Sequence, residues 1–173
     1  MSRLIYIHID HLHRNYGALK DADPATDVIA FVESARMTTG RNWHKERLLF
    51  LISSARHFAK SLEDEGFTVE YIKAPTTIDG LTTIQKKYKQ HPITCAEPSS
   101  FTQYEQLKTF GATFIPNDFF LTPRDLFAQW VNRSRGVKKK SLVIKVAPKV
   151  FNCSYCVKDE GSAQVIGCCL YFF

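Results

Sequence analysis

The feature that most constrains this chain is a regular exchange between short β-rich runs and segments with helical periodicity. Residues 3–9, RLIYIHI, are β-rich and close on Asp10. Residues 27–33, DVIAFVE, are almost continuously apolar, as in a strand covered on both faces. Residues 67–73, FTVEYIK, alternate; 93–97, ITCAE, stop at Pro98; and Ala112 to Ile115 stop at Pro116. Between these runs, Leu48, Leu51, Ile52, Ala55, Phe58, Ala59 and Leu62 recur at helical spacing from about His44 to Glu65, and Gly66 is a natural stop. Helices are also predicted over roughly 80–90 and over 101–110. A further helix is predicted from Thr122-Pro123-Arg124-Asp125, with Thr as N-cap, Pro at the first helical position and an acid in the first turn. It carries Leu126, Phe127, Trp130 and Val131 on one face. Leu19 to Asp27, with three Asp and Pro24, reads as a connection, and Ser34 to Asn42 as a polar stretch. Strand alternating with helix implies βαβ units, hence a three-layer, Rossmann-like α/β domain with a mostly parallel, five-stranded sheet.

In such sheets ligands bind outside the carboxyl ends of the strands. Asp10-His11, Glu33 with the residues just after it, and Glu97-Pro98 are therefore the positions to watch. The first strand is not followed by G-x-G-x-x-G, and no G-x-x-x-x-G-K-[ST] occurs, which argues against a dinucleotide dehydrogenase and a P-loop NTPase. The lack of a G-x-S-x-G elbow weakens a hydrolase reading. Ser53, Ser54 and His57 lie within the apolar helix and read as helix-surface residues.

Charge is localised. The net charge is +6, yet residues 126–158 hold eight Lys or Arg and no Asp or Glu, while the rest carries 15 basic against 17 acidic residues. Arg133, Arg135, Lys138, Lys139 and Lys140 form a basic run that either attracts phosphates through counterion release or is a solvated tail. The core is not in question, with 45% hydrophobic and 13% aromatic residues. No apolar run approaches the length of a membrane span, and the first ten residues lack a secretory pattern, so no membrane association and a cytoplasmic location are expected.

Metal and redox readings are weaker. His11-x-His13 has ligand spacing but no neighbouring third ligand in sequence. Cys153-x-x-Cys156 followed by adjacent Cys168-Cys169 is a poor match to a zinc ribbon, and the surroundings lack a thioredoxin pattern. Five cysteines fit free thiols better than a disulfide framework, and no metal is expected.

Several longer stretches carry a family resemblance. They are L-x-x-x-x-x-D-x-L from Leu4 to Leu12 through the first strand, ALKDADPATDV leading into the second, V-E before WHKER, and SARHFAKSLEDEGFTVEY over residues 54–71. With Pro98 in A-E-P and FFLTPRDLFAQW, they resemble the photolyase-related proteins, the group of bacterial cryptochromes and photolyases that carry an iron–sulfur cluster. The resemblance covers about residues 3–135, and R-H-F-A-x-x-L-x-x-x-G-x-x-V-x-Y is its most specific part.

This resemblance implies a photolyase-type N-terminal α/β domain over residues 1–135, which in the family precedes a helical domain that binds FAD, the cluster and damaged DNA. FAD and the iron–sulfur cluster are accordingly not expected in this chain, and a helical FAD-binding domain supplied by another chain is a possible partner. Residues 136–173 are expected to be a basic, cysteine-containing tail without family resemblance, as in a truncated or frameshifted gene product. Family members hold a 6,7-dimethyl-8-ribityllumazine antenna against Gly-Asp-Gln after the first strand and Glu, Tyr and His in the loop entering the long helix. Here Asp10 and His44 match that pattern, whereas Ile9, His11, Met37, Gly40 and Trp43 depart from it, Trp43 offering a stacking face instead. A lumazine- or nucleotide-like ligand is thus expected at Asp10, His11, Glu33 and the loop Met37, Gly40, Trp43 and His44. The competing expectations are a nucleic-acid-interacting fragment acting through the basic tail and a freestanding small enzyme of nucleotide-binding type.

Overall fold

The computed structural model describes residues 2–40, 43–119 and 124–133. The chain divides into a unit ending at Phe119 and a second beginning at Phe120. The first unit contains β1 (Leu4–Tyr6), β2 (Val28–Ser34), α1 (Ala35–Thr39), α2 (Lys45–Asp64), β3 (Thr68–Ala74), α3 (Thr77–Lys87), β4 (Ile93–Ala96), α4 (Phe101–Phe110) and β5 (Thr113–Ile115). All pairings are parallel, in the order β3-β2-β1-β4-β5. The fold is therefore an α/β, Rossmann-like sheet, in line with the alternation of the sequence. In the second unit the described element is α5 (Arg124–Arg133); Thr122 and Pro123, its predicted start, lie outside the described residues.

Side chains leave a strand alternately up and down, and here each face has its own core. Leu4, Tyr6, Val28, Ala30, Ile93 and Cys95 pack with Leu81 and Ile84 of α3 and Leu107 of α4. Ile5, Ile7, Ile29 and Phe31 pack on the other face with Ala59 and Leu62 of α2, and with Ala18 and Leu19 of a 3-10 turn. Helices thus cover both faces, which is why β2 reads as a continuous apolar run.

Local chemistry fixes the helix ends. Thr76 caps α3 by accepting from the Asp79 amide at 3.2 Å while its hydroxyl donates to the Asp79 carboxylate at 2.7 Å. The Phe67 amide returns to the Leu62 carbonyl at 3.0 Å, closing α2 and turning the chain into β3. Gly80 lets α3 lie against β2, because a Cβ there would stand 2.4 Å from Cγ1 of Val32.

Three boundaries depart clearly from the sequence reading. One is α3, which runs Thr77–Lys87 rather than roughly 80–90 because Thr76 caps it early. β1 stops at Tyr6 rather than residue 9, because the chain leaves β2 after Ile7 donates to the Ala30 carbonyl. The polar stretch after β2 forms the short helix α1, its start capped by Ser34, which accepts from the Met37 amide.

Candidate functional site

The strand register builds a step at the carboxyl end of the sheet. Tyr6 is level with Ala30 and with Cys95, and β1 ends there. β2 runs four residues further to Ser34, paired throughout with β3 as far as Ala74. At about 3.3 Å per residue, the β2–β3 pair stands roughly 13 Å above a floor formed where β1 and β4 end. That floor is the point where the strand order reverses, the place ligands favour in open parallel sheets.

An open cleft of about 330 Å³ sits on top of the wall, lined by Glu33, Ser34, Ala35, Thr38, Lys73, Ala74 and Pro75. Glu33 is tied down: Arg56 donates to its two oxygens at 3.0 and 2.8 Å, and the Tyr71 hydroxyl donates at 2.9 Å. Burial pushes its carboxyl up, but the Arg56 and Tyr71 hydrogen bonds outweigh this and hold it below the usual carboxylate range. Glu33 therefore acts as a fixed, ionised wall, and Lys73 is the exposed cation of the cleft.

The floor is nearly closed. Tyr6, Ile7, His8, His11, Tyr16, Ala18, Ala96 and Phe119 leave about 10 Å³ between them, space for at most one water. His8 and His11 are 2% and 5% exposed. His8 Nε2 is 3.1 Å from the Ala96 carbonyl, which can only accept. That fixes the proton on Nε2 and leaves His8 Nδ1 as a lone pair. His8 Nδ1 and both His11 ring nitrogens have no hydrogen-bond partner among the described residues. The Phe119 ring stacks on His11, with centroids 4.5 Å apart and planes 17° apart, and His8 meets His11 edge-on at 5.0 Å. Burial drives the His8 imidazole down to about 4; neighbouring His11 adds to this, and Asp10 and the Ala96 hydrogen bond oppose it. Burial also lowers His11, against Asp10 and Asp118.

The predicted residues fall into three places. Asp10 and His11 stand at the floor: Asp10 is exposed, with Oδ1 4.0 Å from His11 Nε2. Glu33 lines the cleft, and Met37 and Gly40 belong to α1 and its end beside it. Trp43 and His44 lie at the start of α2, where Arg47 sits 4.3 Å over the Trp43 ring, Trp43 Nε1 is buried with no hydrogen-bond partner among the described residues, and His44 is exposed beside Glu46. Arg133 ends α5. Arg135, Lys138, Lys139 and Lys140, and the cysteines of residues 153–169, lie outside the described residues. Among the described residues no group of three His, Cys, Asp or Glu is placed to hold a metal, and no helix is long and apolar enough to cross a membrane.

Sequence reasoning passed over His8, Phe119 and Lys73. Lys73 ends the FTVEYIK run, so the rule that sends ligands to carboxyl ends was sufficient to find it. His8 looks like one more residue of a β-rich run, and nothing local ties Phe119 to a strand more than 100 residues earlier.

Fold and rim define a doubly wound parallel α/β domain with a stepped ligand-type site at its strand-order reversal. Residues 5–142 match the family described as "Deoxyribodipyrimidine photo-lyase-related protein". The chain belongs to that family. It is also similar to a protein named "(6-4) photolyase" from Agrobacterium fabrum (strain C58 / ATCC 33970), 34% identical over 73 residues, which cover 42% of this chain and 14% of that relative. The match spans only a small part of the relative's length.

Proposed function

We propose that this chain is an antenna-type photolyase-related domain that holds a lumazine- or nucleotide-like ligand across the stepped rim and does not itself repair DNA. The observation that carries this reading is the cleft of about 330 Å³ at the strand ends, with Lys73 and Thr38 among its lining residues. Cation and hydroxyl suit a ribityl or ribosyl chain, and the floor below, once Phe119 leaves the face of His11, would offer a stacking face and ring nitrogens that are unpaired among the described residues, as a polar ring requires once it leaves water. These residues fit 6,7-dimethyl-8-ribityllumazine, which when bound would supply light absorption. Glu33, fixed by Arg56 and Tyr71, shapes the wall. Flavin and cluster chemistry belong, in this reading, to a helical domain distinct from this α/β unit.

The test is titration of the full chain with 6,7-dimethyl-8-ribityllumazine, read by absorption and fluorescence. Saturable one-to-one binding is expected, weakened about tenfold by Lys73→Ala, the loss of one charge-assisted hydrogen bond. Binding that ignores Lys73→Ala, or no saturable binding, overturns the reading.

A further inference from the structure

The floor of the rim is filled by the chain itself. Phe119 comes after β5 and is brought back over the end of β1 by two hydrogen bonds. Its amide donates to Asn117 Oδ1 at 2.9 Å, and the neighbouring Asp118 accepts from the Gly17 amide at 2.7 Å. Gly17 lies in the left-handed region at φ 60°, and a Cβ there would stand 2.9 Å from Phe119 Cε2 and 3.2 Å from the Ala96 Cβ. The backbone of the 3-10 turn therefore gives way so that this ring can reach His11.

The fit is tight in shape and poor in polarity. A neutral imidazole presents one donor and one acceptor, and among the described residues His11 spends neither, although its side chain is 95% removed from water. His8 adds a second unpaired acceptor beside it. A phenyl ring can stack on His11 but can satisfy none of these atoms. Leaving buried polar groups unpaired costs stability, which apolar residues in place of His8 and His11 would have avoided. A flat ring with donors and acceptors on its edge would take the same stacking place and pair the imidazoles too.

We propose that Phe119 is a gate: its ring occupies the stacking face of His11 in the absence of ligand, swings out on the Asn117–Phe119 turn, and yields that place to the ring of a bound heteroaromatic ligand. The ligand half of this inference rests on the antenna reading; the motion of the gate does not. Phe119 is the last residue of the first unit, so an outward swing disturbs the turn that leads out of the sheet and none of its strands. The open state is a minor population of the free chain, and closed gates lower apparent affinity by the fraction that is open.

The ligand-free test is carbethoxylation of the full chain by diethyl pyrocarbonate at pH 7, read at His11 by tandem mass spectrometry. Exposed His13 in the same peptide serves as the internal standard. Hydrogen exchange at the Ile5 and Ile29 amides gives the rate of global unfolding. His11 in the unaltered chain is expected to react more slowly than His13 but at least tenfold faster than global unfolding permits. In Phe119→Ala its rate is expected to rise tenfold or more. Asp118→Ala, which releases the Gly17 contact and keeps the ring, is expected to accelerate it to a smaller extent. A His11 rate equal to that of global unfolding, or one unchanged by Phe119→Ala, overturns the gate and leaves Phe119 a static part of the core.

With 6,7-dimethyl-8-ribityllumazine as probe, Phe119→Ala is expected to bind about tenfold more tightly than the unaltered chain. Weaker binding by that variant would make Phe119 a ligand contact and overturn the gate. Absence of binding to either protein would sink the antenna reading, while the carbethoxylation result would still decide the gate.

Discussion

At the residue scale, two buried ionisable groups near the start of the chain are handled in opposite ways. Asp27 is 2% exposed and fully engaged: it accepts from the Arg3 amide at 3.0 Å, from Arg3 Nη2 at 2.5 Å and from the Asp23 amide at 3.1 Å. Burial raises its carboxyl, and Arg3 with the amides more than compensates, leaving it below the usual range. The stability it contributes is thus present above the ordinary carboxylate range and is lost as pH falls through its folded value. Asp27→Ala is expected to cost about 2–3 kcal/mol in urea unfolding at pH 7, because it strands a partly buried Arg3 and two amides. An effect below about 0.5 kcal/mol would show that water replaces these bonds freely.

His8 loses stability in the same direction of pH for the opposite reason, because burial keeps it neutral where Asp27 is kept charged. Its imidazole titrates near 4 when folded and near the ordinary 6.5 when unfolded, so between those values the unfolded chain binds the additional proton and stability falls as pH is lowered. Going from pH 7 to pH 5 is expected to remove roughly 2 kcal/mol through this residue alone. His8→Asn, which keeps a donor for the Ala96 carbonyl, should flatten that dependence; an unchanged slope would place the acid sensitivity elsewhere.

At the element scale, the α/β alternation is legible because each strand either alternates or is apolar throughout and each long helix repeats its apolar face. The sequence pattern puts a helix at residues 101–110, and α4 is found at Phe101–Phe110. It puts another from about His44 to Glu65, and α2 runs Lys45–Asp64. The early end of β1 is not legible, since Ile7 and Ile9 have the same β propensity as the residues before them. It depends on where β2 stops pairing with β1, and so does the step that builds the site. Register is a property of two strands, and one strand's composition does not contain it. The close approach of α3 to β2 is likewise invisible in the sequence. Gly80→Ala would normally favour a helix by about 1 kcal/mol. Here it should instead destabilise by about 1–3 kcal/mol, because Val32 has to move. A thermal melt showing stabilisation would contradict this packing.

At the scale of the whole molecule, the chain combines a photolyase-related α/β domain with a basic segment that begins near the end of α5. The candidate site draws on residues from the ends of four strands, and its floor is closed by a residue more than 100 positions from the histidine it covers. Sequence leads to Asp10, His11 and Glu33 because they sit at or just beyond strand ends. It does not lead to the pairing of His11 with Phe119, which exists only because β5 lies beside β4 and β4 beside β1. The account of this domain as a holder of a flat, light-absorbing ligand is tested most directly by an absorption spectrum of the purified full chain, with mass spectrometry of the molecules it releases on denaturation. About one equivalent of a near-UV- or blue-absorbing molecule per chain is predicted. A colourless chain that stays colourless after incubation with 6,7-dimethyl-8-ribityllumazine and with flavin would contradict it.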